Sequence, residues 1–448
     1  MRARPILPCL LLLGLLLGVL PAAASAQSAV RAPCVAGAQS PTCTFWSARA
    51  TFVADGDTIK AVIDGDRSGS EHLIRFTGIN AMELHRYSKY AARRRGECNG
   101  LAATALAERY VKGSHWRIRL AAQRAGSVSG PRKRLRRSVW VKVAGHWEDL
   151  AKLELEQGLA LWLPNGQEWA HNREYHTLAE QAAVAHRGIF DPTACGVGPD
   201  QDLPLSLSVN WDADGNDSHN LNGEWVEIRN GGARPLSLAG WWFRDSWLNY
   251  DAQHLPGYGF PAGTVVPAGG AIRLHIGCGA STATDFHWCQ RSDAFENATY
   301  DRKALGDGGY LFDPQGDLRA SQTYPCIVAC MDPLAGAVRL GVHPTAPELI
   351  TLTNTSSVPV DLGDHLLKLS SLGKRDAFIF GYPFAFGTIL APGQTMRILP
   401  GGSRTFASGL DVQLGRGRYG LADRNGRLTL RTATDMVTAC AAWGRQHC

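Results

Sequence analysis

The chain has 448 residues, 45% hydrophobic and 19% charged, an ordinary globular balance that implies buried cores throughout. The net charge of +6 is modest, so charge alone assigns no partner to the chain as a whole. After the first 26 residues no stretch approaches the roughly 20 apolar residues of a membrane helix, so a transmembrane segment is not expected.

Residues 1–26 carry Arg2 and Arg4, an apolar run from Leu10 to Leu20, and Ala24-Ser-Ala26 ahead of Gln27. That order is the pattern of a cleaved secretory signal, and it predicts a secreted, soluble product beginning near Gln27. Residues 27–44 form a short N-terminal segment. The mature length of about 420 residues fits two to four domains. Of 11 cysteines, Cys9 leaves with the signal, and the even remainder in an exported chain argues for disulfides. Close spacing points to loops closed by Cys34/Cys43 and Cys278/Cys289, while Cys98/Cys195 would tie the end of the first domain to its core. Sequence leaves the connectivity open. No two C-x-x-C pairs stand beside histidines, which argues against zinc.

From residue 45 to 196 short strands alternate with helical patches. Phe52-Val-Ala, a turn at Asp55-Gly56 and Thr58-Ile63 read as a hairpin, because β-branched residues flank a turn built from Asp and Gly. Strands continue at Leu73–Ile79 and Trp116–Leu120. Three- and four-residue spacing predicts helices at Ala102/Leu106/Tyr110, at Leu150/Leu153 before Gln157-Gly158, and at Tyr175/Leu178/Ala179/Ala182. Two basic runs fall in this third of the chain, Arg93-Arg94-Arg95 and Arg132-Lys133-Arg134-Leu135-Arg136-Arg137. They read either as solvated loops or as places where a polyanion docks.

The residues that carry chemistry are Asp57 in Asp55-Gly-Asp-Thr58, then Arg75, Glu83 and Arg137. Their order, with the helical segments behind them, resembles the staphylococcal-nuclease (thermonuclease) family over roughly 150 residues, from the Asp-Gly-Asp-Thr turn to His186-Arg-Gly-Ile-Phe190. The resemblance implies an OB-fold barrel and phosphodiester hydrolysis. It also implies a metal-binding aspartate at Asp57, phosphate-binding arginines at Arg75 and Arg137, and a general base or water-positioning group at Glu83. Arg136 remains an alternative to Arg137, because the preceding loop does not align to one residue. A phosphodiester is an anion that repels hydroxide, so its oxygens must be neutralised while a water is held in line. Guanidinium suits the first task, since it donates two parallel hydrogen bonds and keeps its proton.

Calcium is the ion implied, held by oxygen from Asp57, Asn80 and the Ala81 carbonyl. The family usually has aspartate, threonine, proline, glutamate where this chain has Asn80-Ala-Met-Glu83. One formal negative charge is therefore missing beside the cation. Weaker calcium affinity is expected, with loss of activity as the alternative and another divalent cation also open. Arg132, Lys133, Arg134 and Arg136 are expected to contact nucleic acid. With no sequence-reading motif, the barrel should accept DNA or RNA, preferably single-stranded, with little base preference.

Beyond residue 204 the composition turns to Gly, Pro, Trp and short alternating apolar runs, which predicts β-sandwiches. Glu224-Trp-Val-Glu-Ile-Arg-Asn230 recurs as Glu348-Leu-Ile-Thr-Leu-Thr-Asn354, and Gly263-Thr-Val-Val-Pro-Ala-Gly269 as Gly387-Thr-Ile-Leu-Ala-Pro-Gly393, both 124 residues on. A third correspondence, Leu311-Phe-Asp-Pro-Gln-Gly316 with Leu421-Ala-Asp-Arg-Asn-Gly426, is offset by 110, with Cys326 and Cys440 following in comparable places. These motifs resemble the lamin-tail domain, an immunoglobulin-like sandwich, over 204–326 and again over 331–448, where aromatic anchors such as Trp241 are missing. Alternate acidic oxygens in the loop Asp212-Ala-Asp-Gly-Asn-Asp217 could hold calcium, but it lacks the glycine and terminal glutamate positions of an EF-hand, so a solvated turn is favoured.

The expected fold class is therefore mainly β and multidomain: an OB-fold barrel with helices at 45–196, then two immunoglobulin-like sandwiches. The expected function is a secreted, calcium-dependent nuclease whose sandwiches bind a ligand that the sequence does not identify. The alternative is a secreted, non-catalytic protein that grips nucleic acid or another polyanion and attaches to a surface.

Overall fold

In the computed structural model the chain is mainly β, with a closed five-stranded barrel followed by immunoglobulin-like sheets. The structure describes residues 29–36, 40–66, 68–84, 97–130, 133–191, 204–211, 213, 216–247, 257–296, 306–328, 334, 336–363, 365–370, 378–384, 387–402, 404–415, 421, 423–432 and 437–448. The signal segment, Arg93-Arg94-Arg95, Arg132, Cys195, Asp212 and Asp214 lie outside the described residues.

The elements of the first third are β1 (Val30–Pro33), β2 (Thr42–Val53), β3 (Thr58–Ile63), β4 (Glu71–Phe76), β5 (Ile79–Ala81), α1 (Gly100–Gly113), β6 (Arg117–Ala122), β7 (Val128–Ser129), β8 (Arg134–Val143), β9 (His146–Asp149), α2 (Leu150–Glu156), β10 (Ala160–Trp162) and α3 (Asn172–Val184). Strands pair in the order β2-β3-β4-β8-β6, and β6 returns to β2, closing the barrel. The β4/β8 pair is parallel and the other pairs are antiparallel, the arrangement of an OB-fold. All three helices form where their apolar spacing places them. Ala103, Leu106, Ala107 and Val111 of α1, Leu150, Ala151 and Leu155 of α2, and Tyr175 and Ala179 of α3 join the barrel core with Ile59, Ile74, Phe76, Val139 and Val141. The expected hairpin is β2–β3. The segment before residue 45 also belongs to the barrel, because β1 pairs with β2 and Cys34–Cys43 closes their turn.

The first sandwich comprises β11 (Leu205–Asn210), β12 (Trp225–Asn230), β13 (Leu236–Ser237), β14 (Trp242–Asp245), β15 (Tyr258–Gly259), β16 (Val265–Val266), β17 (Ala271–His275), β18 (Asp285–His287), β19 (Asp307–Phe312) and β20 (Leu318–Tyr324). One sheet runs β11-β12-β17-β18 and the facing sheet β15-β14-β19-β20. The second sandwich comprises β21 (Val338–His343), β22 (Leu349–Asn354), β23 (Val360–Asp361), β24 (Leu366–Ser370), β25 (Phe378–Pro383), β26 (Ile389–Leu390), β27 (Thr395–Leu399), β28 (Thr405–Ser408), β29 (Asp411–Leu414), β30 (Gly426–Arg431) and β31 (Val437–Trp443). Its sheets run β21-β22-β27-β29-β28 and β25-β24-β30-β31.

The repeat at an offset of 124 is real in space, since β12 and β22 occupy the same sheet position, as do β14 and β24. The third correspondence needs correction. Trp242 pairs with Phe312 and Leu366 with Arg431, while Arg244 pairs with Tyr310 and Lys368 with Thr429. The equivalent strands are thus β19 and β30, offset by 119 rather than 110. Cys440 consequently takes the place of Ser321 rather than Cys326: it lies inside β31, opposite Thr429 as Ser321 lies opposite Tyr310, and pairs with Cys448. Cys278–Cys289 is formed as expected, and Cys98 and Cys326 are also disulfide-bonded.

Candidate active site

The Asp55-Gly-Asp turn joins β2 to β3 at one end of the barrel and is held by the packing of its own glycine. A Cβ on Gly56 would lie 2.6 Å from Ala103 Cβ of α1 and 2.7 Å from Ala81 Cβ of β5, so only glycine lets the turn sit this deep. The turn is tightened by Asp57 N–H donating to Asp55 Oδ1 at 3.1 Å. Asp57 itself is 1% exposed. Its Oδ2 accepts the Ala81 N–H at 2.8 Å, and its Oδ1 accepts the Thr58 hydroxyl at 2.9 Å and pairs with Arg75 Nη1.

Arg75 leaves β4 next to Thr58 of β3 and is nearly enclosed. Its Nη2 donates to Asn80 Oδ1 at 2.8 Å and to the Ile79 carbonyl at 3.2 Å. Burial, and next the field of Arg134, lower its pKa to about 10, while Glu83 and Asp55 oppose the shift. Glu83 follows β5 and is half-buried. Its main chain is tied to Glu97 in the segment leading into α1: Glu83 N–H donates to Glu97 Oε2 at 2.9 Å, and Glu97 N–H to the Glu83 carbonyl at 2.8 Å. A Cβ on Gly100 would meet that carbonyl at 2.8 Å, so glycine is needed where the helix begins. Burial and then the charge of Asp55 raise the Glu83 carboxyl to about 7, against Arg75 and Arg134. Asp55 is raised as well, first by burial.

Asp57, Arg75, Asn80, Ala81 and Glu83 are therefore brought together, as their sequence pattern implied. Arg137 is not. It is 3% exposed and donates to the carbonyls of Ser127 (3.1 Å), Arg136 (2.7 Å) and Ala125 (2.6 Å), with its guanidinium 4.9 Å from the Trp46 ring centroid. The reason is strand parity. Side chains alternate across a strand, and Val139 and Val141 of β8 point into the barrel core, so Arg137 shares their side. Arg134 and Arg136 take the other side, beside Arg75, whose register partner is Arg136.

Of the two, Arg134 reaches the cluster. Its Nη1 stands 3.5 Å from Thr58 Oγ1, and its charge acts on Asp55, Arg75 and Glu83. Arg136 is half-buried and, like Arg137, lies within the field of Glu168, and Lys133 is exposed at the strand start. The odd-numbered valines of β8 were the sequence signal that separates Arg134 from Arg137.

The oxygen set can be tested against a divalent cation. Asp57 Oδ1 and Asn80 Oδ1 already converge on one cation, the Arg75 guanidinium. Hard oxygen donors facing a positive centre fit the ion, in competition with Arg75. Among the described residues no three His, Cys, Asp or Glu side chains gather as a metal-holding group.

Elsewhere among the described residues no helix is long and apolar enough to cross a membrane. No curated protein matches the chain in a sequence search. Residues 208–326 match the family model described as Lamin Tail Domain, so the first sandwich, β11 to β20, is lamin-tail-like both in sequence and in fold.

Proposed function

We propose that the protein is an exported nuclease that hydrolyses phosphodiester bonds of DNA or RNA, built on a thermonuclease-like barrel. The observation that carries this reading is the buried Arg75, fixed by Asp57 and Asn80, with Arg134 and Glu83 arranged around it. Two guanidiniums at one end of a barrel neutralise the phosphate oxygens as charge develops on them. Asp57 and Asn80 orient Arg75 so that its fork need not be ordered when substrate arrives. Glu83 holds the attacking water and accepts its proton.

Calcium belongs to the proposal, held by Asp57, Asn80 and the Ala81 carbonyl, and when bound it would polarise the phosphate and offset its charge. With an amide in place of a carboxylate and Arg75 competing for the same oxygens, affinity should be low. Export is supported by the N-terminal pattern and by the disulfides. The partner is single-stranded nucleic acid with little base preference, engaged by Arg134 and the neighbouring Lys133 and Arg136.

The test is hydrolysis of denatured DNA and of RNA by the oxidised protein from Gln27 onward, over a calcium titration, beside Glu83→Gln. Cleavage that rises with calcium and falls by about 10²-fold or more in the variant is the expected result. Retained binding without cleavage at any calcium level would make the barrel a polyanion grip.

A further inference from the structure

We propose that the first sandwich is a working part of the active site, its outer face of Trp242, Tyr310, Phe312 and Leu318 holding Met82 and thereby positioning Glu83. The inference deepens the nuclease reading and rests on it for the word active.

A sandwich sheet ordinarily buries one face and wets the other. Every residue of β14 and of β19 is buried, so these two central strands are covered on both sides. The inward set, Phe243 and Leu311, joins the sandwich core. The outward set pairs across the strands as Trp242 with Phe312 and Arg244 with Tyr310, and the Trp242 and Phe312 rings stack at 4.2 Å between centroids. This face packs with Leu318 against Met82, Leu161 and Ile189 of the barrel domain. Met82 adjoins Glu83 in the chain, and Leu161 is the register partner of Asn80.

The β19–β20 turn lies beside the same loop, in a cleft that Gly316 and Leu318 line together with Met82 and Cys98. The β19–β20 turn ends at Gly316, with φ of +92°, and a Cβ there would come within 3.6 Å of Cys98 N and 3.8 Å of Glu97 Cα. Glu97 is the residue whose carboxylate accepts the Glu83 N–H. The sandwich therefore packs on the residue before Glu83 and passes close beside the residue that anchors its main chain. Its orientation is fixed further on by Glu180 of α3, which accepts from the Thr323 hydroxyl at 3.0 Å and from Ile327 and Val328 N–H at 2.7 and 2.6 Å. Arg244 stands near enough to Arg75 to lower its pKa.

The second sandwich shows that these aromatics are not a requirement of the fold. At the equivalent positions it has Leu366 for Trp242, Thr429 for Tyr310 and Arg431 for Phe312. Its own outer face meets the first sandwich instead, with Lys368 Nζ 3.5 Å from the Trp211 ring centroid. The aromatic face is thus particular to the module that meets the barrel.

The experiment uses the full oxidised protein and compares wild type with Phe312→Ala, Phe312→Leu and, at the other interface, Lys368→Met. Four quantities are read: kcat and KM on denatured DNA, amide exchange of residues 80–84, and thermal melting. Phe312→Ala should lower kcat by about ten-fold with KM little changed, since a small misplacement by a distant mutation costs up to about a hundred-fold. It should also speed exchange in 80–84, and Phe312→Leu should recover most of both losses while Lys368→Met changes neither. Unchanged kcat and unchanged exchange in a folded Phe312→Ala would overturn the proposal, as would a change in KM alone. If Phe312→Ala does not fold, Phe312→Leu and Leu318→Val carry the same comparison at smaller amplitude. Should wild type cut nothing, the nuclease reading fails by itself, and the exchange comparison still decides whether the sandwich holds the loop.

Discussion

Arg75 of β4 and Asp57, the last residue of the Asp55-Gly-Asp turn, form an ion pair that is almost wholly buried. A buried pair is not by itself strong evidence of stability, because both charges lose their water. Breaking it is a different matter. Arg75→Met would leave the Asp57 carboxylate without its cation, and a loss of about 3 kcal/mol is expected in denaturant titration. Arg75→Lys keeps the charge but not the fork that serves Asp57 and Asn80 together. It should therefore melt closer to wild type while cleavage drops by about 10²-fold.

Arg134 and Arg137 separate chemistry from architecture. Arg134→Ala removes a partly exposed cation from the site, so cleavage should fall by about 10²-fold with stability within about 0.5 kcal/mol of wild type. Arg137→Ala withdraws the donor from three carbonyls in the 125–136 stretch. Its main effect should be on stability, of about 2 kcal/mol by denaturant titration. Equal loss of stability in both variants would refute the division.

Much of this site could be read from the sequence, and the part that could not has a physical cause. The glycine-centred turn, the arginine of β4 and the glutamate after β5 are local features, fixed by residues within a few positions. Arg137 was misjudged because a run of basic residues offers several candidates, and which one faces the site depends on which valines enter the core. Alternation along β8, counted from Val139 and Val141, decides that. The shifted repeat at β19 and β30 has the same origin, since Asp-x-x-Gly turns recur wherever a hairpin needs them. The contact of Trp242 and Phe312 with Met82 had no local signature, being made by residues about 160 to 230 positions apart.

Metal dependence follows from the same oxygens that hold Arg75. Asn80→Asp adds a carboxylate beside Asp57, which strengthens both the pull on a divalent cation and the pull on the guanidinium. Charge count tunes calcium sites over orders of magnitude, so the calcium concentration for half-maximal cleavage should fall by about ten-fold in this variant. Activity in excess chelator should be lost in both proteins. A midpoint that is unmoved, or shifted to higher calcium, would mean that Arg75 takes up the added charge.

Acid and base should treat the first sandwich unequally through Glu224. Its side chain is fully buried, Oε1 has no hydrogen-bond partner among the described residues, and Oε2 accepts from the main-chain N–H of Ala294 at 3.1 Å. Burial, reinforced by Asp217 and Asp293, raises the carboxyl to about 9 from an unfolded value of 4.5. The folded state then holds a proton that the unfolded state has released, so stability is complete below the unfolded pKa and is lost as pH climbs toward the folded one. Glu224→Gln keeps the acceptor for Ala294 and has no charge to bury. Melting curves taken from pH 5 to pH 9 should show the variant gaining on wild type throughout that window, by about 1 kcal/mol or more at the alkaline end, the worth of one pKa unit. Parallel curves would mean that Glu224 is ionised in the folded protein and held by a positive partner, and the sandwich core would then have to be drawn around that partner.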